Sequence, residues 1–368
     1  MFKPHDMKRI IYLMSFVFAL LVSSCDQGID SIKEVAPGPD MAPPVVAINY
    51  PAAGLEIQVK EDVVPITIKF SVEDDIELIS VVVSMDDEVI RSYSSFKDYR
   101  KVTIDDLVYP NLENGSHTLS VQATDIEGKE TIQAITFEKK EAYKPIYDGE
   151  IFYMPFNGDF SELVSVSSGT AVGSTGFADQ SVVGANAFAG AADSYVTFPT
   201  EGLLDSEFSA TFWYKLNAVP DRAGILVIGP EDTENPDAQN NRTSGFRFFR
   251  ENAGGNQRFK LNVGNGTADS WVDGGEAADL SPGTDWVQMA FTISQSTAKV
   301  YIDGVLVAET AITGVDWTGC DLLSIGSGAP RFSGWDHLSD LSFIDELRFY
   351  NKELSIEEIL EIQNADLE

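Results

Sequence analysis

The sequence predicts an all-β protein of two successive β-sandwiches that ends in one short helix. Three observations support this prediction: apolar and polar residues alternate over many short segments, turn signals separate these segments, and a helix-capping motif occurs near the end. The chain has 368 residues, of which 43% are hydrophobic. This supplies enough apolar side chains for one large domain or two medium domains, each with its own core.

Charge and composition exclude several classes of function. The chain carries 25 Lys and Arg against 58 Asp and Glu, a formal net charge of −33. Such a chain is repelled by a nucleic-acid backbone. It contains three His and two Cys, which excludes a disulfide framework and a zinc site built from Cys and His.

The amino terminus is typical of an exported lipoprotein. Residues 1–24 combine basic residues, a short apolar run and small residues, as in a secretory signal peptide. Val22-Ser23-Ser24-Cys25 resembles the bacterial lipoprotein box, which implies that Cys25 becomes diacylated and anchors the chain to a membrane. A plain signal peptide that happens to contain a Cys is the alternative.

The segment after Cys25 predicts a flexible tether over residues 25–44, because it is polar and contains four prolines. The early acidic residues Asp26 and Asp30 resemble those of surface-exported lipoproteins of Bacteroidetes. This resemblance implies a location at the outer membrane, exposed at the cell surface.

Residues 45–142 predict the first sandwich. The segment 64–72 alternates apolar and polar side chains, as a half-buried strand does, and Asn114-Gly115 is a hairpin turn signal. Short strands at this spacing suggest an immunoglobulin-like sandwich. The residues around Pro43-Pro44-Val45-Val46 and 114–125 resemble bacterial Ig-like modules, which implies a spacer or a docking surface.

Residues 150–368 predict the second, larger sandwich. The segment 208–216 alternates, and residues 299–307 form a hairpin pattern around Asp303-Gly304. The segments 154–159, 208–215, 286–304 and 344–351 together resemble a LamG-like, concanavalin A-type jelly roll. Residues 335–343 interrupt the family pattern and are therefore themselves a candidate site.

The carboxy terminus predicts a helix. Ser355-Ile356-Glu357-Glu358 is a capping box, in which Ser355 and Glu358 bond to each other's backbone N–H groups. The predicted fold class is therefore all-β: an Ig-like β-sandwich, a larger concanavalin A/LamG-like jelly roll and a short C-terminal helix.

The sequence predicts no enzyme. Glycosidases on this type of fold use two carboxylates at a fixed separation, and no convincing strand carries that spacing. Asp345 and Glu346 are adjacent, so a regular strand would place them on opposite faces. Neither a Gly-x-Ser-x-Gly nor a His-Glu-x-x-His motif occurs.

Calcium is the metal that the resemblance implies, in a structural role and without an organic cofactor. An acidic sandwich supplies the oxygen ligands that this ion requires. The family likeness points to Asn157, Asp159 and Asp345. Turn acids and a strand-end hydrogen-bond acceptor are the alternative interpretation of the same residues.

Aromatic residues predict the ligand site, because the C–H faces of sugar rings stack on flat side chains. Trp335, Asp336 and His337, with Arg331 nearby, combine a stacking surface with hydrogen-bonding groups. Trp271 and Trp317 lie in loops rich in Gly and Asp, and Trp213 lies on one face of a predicted strand. A role as a buried anchor remains open for each of these three residues.

These observations predict a non-catalytic outer-membrane surface lipoprotein that binds an extracellular polymer, above all a glycan. The Bacteroidetes resemblance implies association with a TonB-dependent importer of the SusC/SusD type. Two alternatives remain open. One is an accessory importer subunit that binds no sugar, for example in peptide uptake, and the other is a surface adhesin.

Overall fold

The structure is a computed structural model that describes residues 38–368. The predicted signal peptide and Cys25 lie outside the described residues. Residues 38–55, 65–110 and 116–137 form one compact unit, and residues 56–64, 111–115 and 138–368 form the other. Among the described residues, no helix has the length and apolarity required to cross a membrane.

The first domain is an antiparallel sandwich, as predicted. One sheet has the order β1-β3-β6, and the other has the order β8-β7-β4-β5, with the short β2 parallel to the end of β8. Its strands are Val45–Tyr50 (β1), Glu56–Ile57 (β2), Val64–Glu73 (β3), Leu78–Met85 (β4), Glu88–Tyr93 (β5), Lys101–Leu112 (β6), Gly115–Asp125 (β7) and Glu130–Lys139 (β8).

Strand alternation builds the core of the first domain. Ile66, Ile68, Phe70 and Val72 of β3 are buried, and the residues between them lie on the other face of the strand. This period of two is the pattern that the sequence displays.

The second domain consists of two large sheets packed face to face. Its strands are Glu150–Met154 (β9), Ser161–Glu162 (β10), Ser167–Ser168 (β11), Thr170–Val172 (β12), Gly176–Ala178 (β13), Ala187–Ala189 (β14), Tyr195–Pro199 (β15), Phe208–Lys215 (β16), Arg222–Ile228 (β17), Phe246–Ala253 (β18), Asn256–Gly264 (β19), Asp269–Asp273 (β20), Asp279–Leu280 (β21), Val287–Ile293 (β22), Thr297–Ile302 (β23), Val305–Ala311 (β24), Leu322–Ile325 (β25) and Phe343–Tyr350 (β26).

We call one sheet of this domain the front sheet, and the other, whose outer side packs against the C-terminal helix, the helix-covered sheet. The front sheet has the order β12-β15-β25-β17-β18-β19-β20, with β21 also paired to β19. The helix-covered sheet has the order β13-β14-β26-β16-β22-β23-β24, with β9 also paired to β26. Aromatic residues from both sheets fill the space between them: Phe208, Phe246 and Phe291 pack with ring centroids 5.0–6.1 Å apart.

The predicted helix is present as Ile356–Leu367 (α1), and its capping box is formed as expected. Ile359 and Ile362 of α1 pack with Ala290, Tyr301 and Tyr350 on the outer side of the helix-covered sheet. The helix therefore closes this face of the domain.

A strand bulge changes the expected geometry of the two adjacent carboxylates. Ile344 and Leu347 both belong to the interior core, and two residues stand between them. Glu346 takes a positive φ of 53°, and the register with β16 shifts at this point. Asp345 and Glu346 therefore do not alternate, and the expectation that they face opposite ways is wrong because a bulge adds one residue to the strand.

A buried ionic cluster connects this bulge to α1. Arg348 of β26 lies 2.6 Å from Glu346, 3.4 Å from Glu150 and 3.2 Å from Asp366 of α1, measured between nitrogen and oxygen atoms. Burial raises the pKa of Glu346 to about 7, although Arg348 and the hydroxyl of Tyr153 act in the opposite direction. Burial also raises the pKa values of Glu150 and Asp366.

This cluster predicts a pH-dependent stability. The pKa of Glu346 lies near 4.5 when the chain is unfolded and rises to about 7 on folding, so the folded state binds more protons between these values. The free energy of unfolding therefore falls as pH rises through this window. Glu346→Gln, which stays uncharged, should gain on the order of 1–3 kcal/mol relative to wild type across it.

Denaturant unfolding followed by tryptophan fluorescence measures this effect, since all five Trp lie between residues 213 and 335, in the second domain. Glu361→Gln, on the exposed side of α1, is the matched control. Parallel pH curves for Glu346→Gln and wild type would contradict the assignment.

Candidate functional site

Two of the predicted ligand residues meet on the outer face of the front sheet. The rings of Trp271 and Trp335 stack with centroids 5.9 Å apart and an interplanar angle of 14°. Trp271 is 37% exposed and Trp335 is 40% exposed. Two large indoles that are neither buried nor isolated form an accessible flat surface, which we call the Trp pair.

Strand register places Trp271 at this position. Trp271 lies in β20 and not in a loop as expected, because β20 pairs with β19, where it stands opposite Asn262, while Val272 points into the core. Phe259 and Leu261 of β19 also belong to the core. The alternate residues of β19 and β20 therefore face outward.

The loop of residues 326–342, which joins β25 to β26, brings Trp335 to the same face. Phe332 and His337 from this loop pack on Phe249 of β18, with ring centroids 5.4 and 4.5 Å away. A second anchor is the buried ion pair of Asp340 with Arg250, at 2.9 Å. Both contacts hold the loop in place. Trp335 lies between Phe332 and His337 in the sequence, so the first contact fixes its position on the sheet.

His337 corrects a sequence-based expectation. Its side chain is fully buried, and its Nε2 lies 3.1 Å from Oε1 of Glu251. The ring also stacks on Phe332 at 4.8 Å. His337 therefore positions the loop and is not available to a ligand in this arrangement.

Arg242 completes the aromatic surface. Its guanidinium carbon lies 4.5 Å from the ring centroid of Trp335 and 5.7 Å from that of Trp271. Its Nε donates to Oδ2 of Asp269 at 3.0 Å. A cation over indole rings contributes about 0.5–1 kcal/mol at an exposed site, so Arg242 orders the pair.

Two polar pockets flank the Trp pair along β19. The first pocket has a volume of about 750 Å³ and is lined by Glu251, Asn252, Ala253, Gly254, Asn256, Arg258, Lys260, Glu276 and Asp279. The second pocket has a volume of about 430 Å³ and is lined by Asp232, Thr233, Glu234, Asn235, Asn240, Asn241, Arg242, Thr243 and Asp269. Trp271 lies between Asp273, whose register partner Lys260 lines the first pocket, and Asp269, which lines the second.

Both cations of the first pocket are paired with carboxylates in the pocket or beside it. Arg258 bonds Asp279 through Nε at 2.7 Å and Nη2 at 3.1 Å. Lys260 lies 3.0 Å from both Glu251 and Asp273. The hydrogen bond from His337, together with Lys260, lowers the pKa of Glu251 to about 2, so this carboxylate is ionised at neutral pH.

The other predicted ligand residues are engaged elsewhere. Trp213 is buried and donates from Nε1 to Asp366 of α1 at 2.9 Å. Trp317 packs on Phe208 and donates from Nε1 to the carbonyl of Asp205 at 2.7 Å. Both indoles anchor the fold, which corrects the expectation that they are stacking surfaces.

Two residues near Trp335 in the sequence differ in their accessibility. Arg331 forms ion pairs with Asp321, at 2.8 Å, and with Glu231, at 3.4 Å. Asp336 is exposed and takes a positive φ of 61° beside Trp335. Of these two residues, Asp336 is the one available to a ligand.

The oxygens of the predicted calcium ligands already accept backbone N–H bonds. Asp345 Oδ2 accepts from Val182 at 2.8 Å and Val183 at 3.0 Å, and burial raises its pKa to about 6. Asn157 accepts from Ala185 at 3.1 Å, and Asp159 accepts from Ser161 at 2.8 Å.

The described residues contain no group of three or more His, Cys, Asp or Glu placed to hold a metal ion. Calcium binding stays a prediction from the resemblance. Melting curves with calcium and with chelator test it, because an ion that binds only the folded chain raises the melting temperature.

No motif in the sequence indicates the charged partners of the Trp pair. Arg242, Glu251, Arg258 and Asp269 occur in separate segments that carry no shared motif. Strand alternation was the one available signal, since it places Arg258 on the face opposite to Phe259. Only the register of neighbouring strands reveals which outward residues are adjacent.

Comparisons with known proteins agree with the two-domain architecture. Residues 189–360 match the model of the concanavalin A-like lectin/glucanases superfamily, and residues 44–121 match the model of the bacterial Ig domain. A search of curated proteins found no match.

Solved structures show distant similarity to this chain. Domain 4 of AbnA, a GH43 extracellular arabinanase from Geobacillus stearothermophilus in complex with arabinotriose, is 19% identical, with a TM-score of 0.45, over 58% of this chain and 97% of that chain. The binding domain of botulinum neurotoxin DC in complex with SialylT is 13% identical, with a TM-score of 0.42, over 60% of this chain and 52% of that chain. The sheets form an Ig-like sandwich followed by a concanavalin A-like jelly roll, in agreement with the two family matches.

Proposed function

We propose that the second domain binds an extracellular glycan on the outer face of the front sheet. The observation that carries this proposal is the exposed, stacked pair of Trp271 and Trp335 between two polar pockets. An indole face accepts the C–H face of a sugar ring, and charged side chains beside it bond the hydroxyls. The match of residues 189–360 to a lectin and glucanase superfamily supports the same class of ligand.

We propose further that this binding is non-catalytic. A glycosidase needs a carboxylic acid with a raised pKa at the site, opposite a second carboxylate. On the front face, the pKa of Glu251 is instead lowered to about 2, and Asp269 and Asp279 are held by arginines. The carboxylates Asp345 and Glu346, whose pKa values burial raises, belong to β26 of the helix-covered sheet.

The sequence supports a surface location for this binding domain. We propose that Cys25 is lipidated and anchors the chain at the outer membrane, exposed to the cell exterior, with residues 25–44 as a tether and the Ig-like domain as a spacer. In this proposal the domain captures polymer for a SusC/SusD-type importer. An accessory importer subunit that binds no sugar, or an adhesin, is the alternative.

Truncation of the Trp pair tests the glycan proposal. Trp335→Ala and Trp271→Ala should each weaken glycan binding by about 1–3 kcal/mol, by analogy with the stacking of a nucleic-acid base on an aromatic side chain. This corresponds to a loss of about 5-fold to 150-fold in affinity. A glycan array on the wild type, followed by calorimetry on each variant, measures the loss.

Trp286→Ala is the matched control, because Trp286 is half-buried beside Phe343 of the helix-covered sheet. It should bind as wild type does. If no glycan binds the wild type, the accessory-subunit alternative replaces this proposal. If both pair variants bind as wild type does, the site lies elsewhere on the domain.

The lipid anchor has its own test. Cys25→Ala should leave the membrane fraction and appear as soluble protein, because the acyl chains supply the membrane affinity. Metabolic labelling with a fatty-acid analogue should mark the wild type and not the variant. An unlabelled wild type would refute lipidation.

A further inference from the structure

Cations along the front face are paired with carboxylates, and the pocket linings contain the further carboxylates Asp232, Glu234 and Glu276. The accessible or partly accessible cations there are Arg222, Arg242, Arg258 and Lys260, and the carboxylates within 4 Å of them are Glu251, Asp269, Asp273 and Asp279. Each cation therefore has an acidic partner on the face.

Arg247 is a fifth cation of the same face, but a ligand cannot reach it. Its side chain is fully buried, and its Nη1 and Nη2 donate to the backbone carbonyls of Ser244, at 2.7 Å, and Asn241, at 2.5 Å. These N–H groups therefore donate to backbone carbonyls and not to a ligand. No free guanidinium or ammonium group therefore faces the pockets among the described residues that line them.

The pockets and the Trp pair form a row along β19. Outward residues of β19 run from Arg258 in the first pocket, past Lys260, to Asn262 beside Trp271. The ladder then ends at Gly264 opposite Asp269 of the second pocket. At a rise of about 3.3 Å per residue, the row is about 20 Å long, which exceeds the length of one sugar ring.

We propose that this row binds a linear stretch of an uncharged glycan, with sugar rings in both pockets and at least one ring on the Trp pair. This inference rests on the proposed glycan-binding function and specifies its substrate class.

The ion pairs favour a neutral ligand for two reasons. First, a uronate or a sulfate ester would need a free cation, and each accessible cation of the face already bonds a carboxylate. Breaking the bidentate Arg258–Asp279 pair would leave Asp279 uncompensated, and its side chain is only 8% exposed. Second, the remaining acidic charge of the chain repels a polyanion at long range.

Neutral hydroxyls, by contrast, use these pairs without breaking them. A carboxylate oxygen has spare lone pairs that accept from a hydroxyl, while an arginine or lysine has further N–H groups that donate to one. Each ion pair therefore presents both a donor and an acceptor to a sugar.

Calorimetry with two matched oligosaccharide series tests the proposal. The neutral series consists of gluco-, xylo-, manno- and arabino-oligosaccharides from disaccharide to octasaccharide, and the acidic series consists of oligogalacturonides of the same lengths. We expect binding from the neutral series, with affinity that rises with length until both pockets are filled. The affinity should change by less than about twofold between about 0.05 and 0.5 M salt.

A gain-of-function variant sharpens the test. Asp279→Asn frees the charge of Arg258 while preserving side-chain shape, so it should raise oligogalacturonide affinity at least about fivefold, in a salt-sensitive manner. Asp285→Asn is the matched control, because it frees Lys215 of the helix-covered sheet at a similar pair distance of 2.9 Å. It should leave both series unchanged.

Each result separates the inference from the proposed function. If neither series nor any array glycan binds, the proposed function itself fails. If oligogalacturonides bind the wild type more tightly than neutral chains do, glycan binding stands and the neutral-ligand inference is overturned. If neutral affinity is already maximal at the disaccharide, the site holds too few rings, and the linear arrangement is overturned.

Discussion

The alternation of side chains along β18, β19 and β20 is the constraint on which the second domain depends. The inward residues, such as Phe248 and Phe259, form the core, and the outward residues, such as Arg258, Lys260 and Trp271, form the candidate site. Because the period is two, a register slip of one residue would move phenylalanines to solvent and charges to the core. Core stability thereby protects the geometry of the site.

The two outer faces of the jelly roll have opposite roles. Helix α1 covers one face, and Asp366 ties it to Arg348 and Trp213 through groups that are almost fully buried. The front face is accessible around Trp271 and Trp335, while the 326–342 loop packs on Phe249 and residues 241–244 cover Arg247. The closed face contains the carboxylates with raised pKa values, while the open face contains aromatic rings and paired charges.

Paired charges make the front face unlike the rest of an acidic chain. Ion pairs at a partly exposed surface add little stability, so the stability of the fold gives little reason for Arg258, Lys260 and Arg242 to stand together. Their arrangement provides donors and acceptors around the Trp pair without a free cation. That combination suits a ligand rich in hydroxyl groups.

The sequence by itself determined the two sandwiches and the capped helix, because alternation, turn residues and capping are local patterns; it also named Trp271 and Trp335 as candidates for the ligand site. Tertiary structure decided which of the predicted residues act together. Strand register and the loop bring Trp335 beside Trp271, whereas α1 covers Trp213, and Phe249 buries His337. No local pattern in the sequence indicates the bulge at Glu346, since this bulge arises from pairing with β16. Contacts between segments distant along the chain depend on how sheets and loops pack, and no local pattern encodes them.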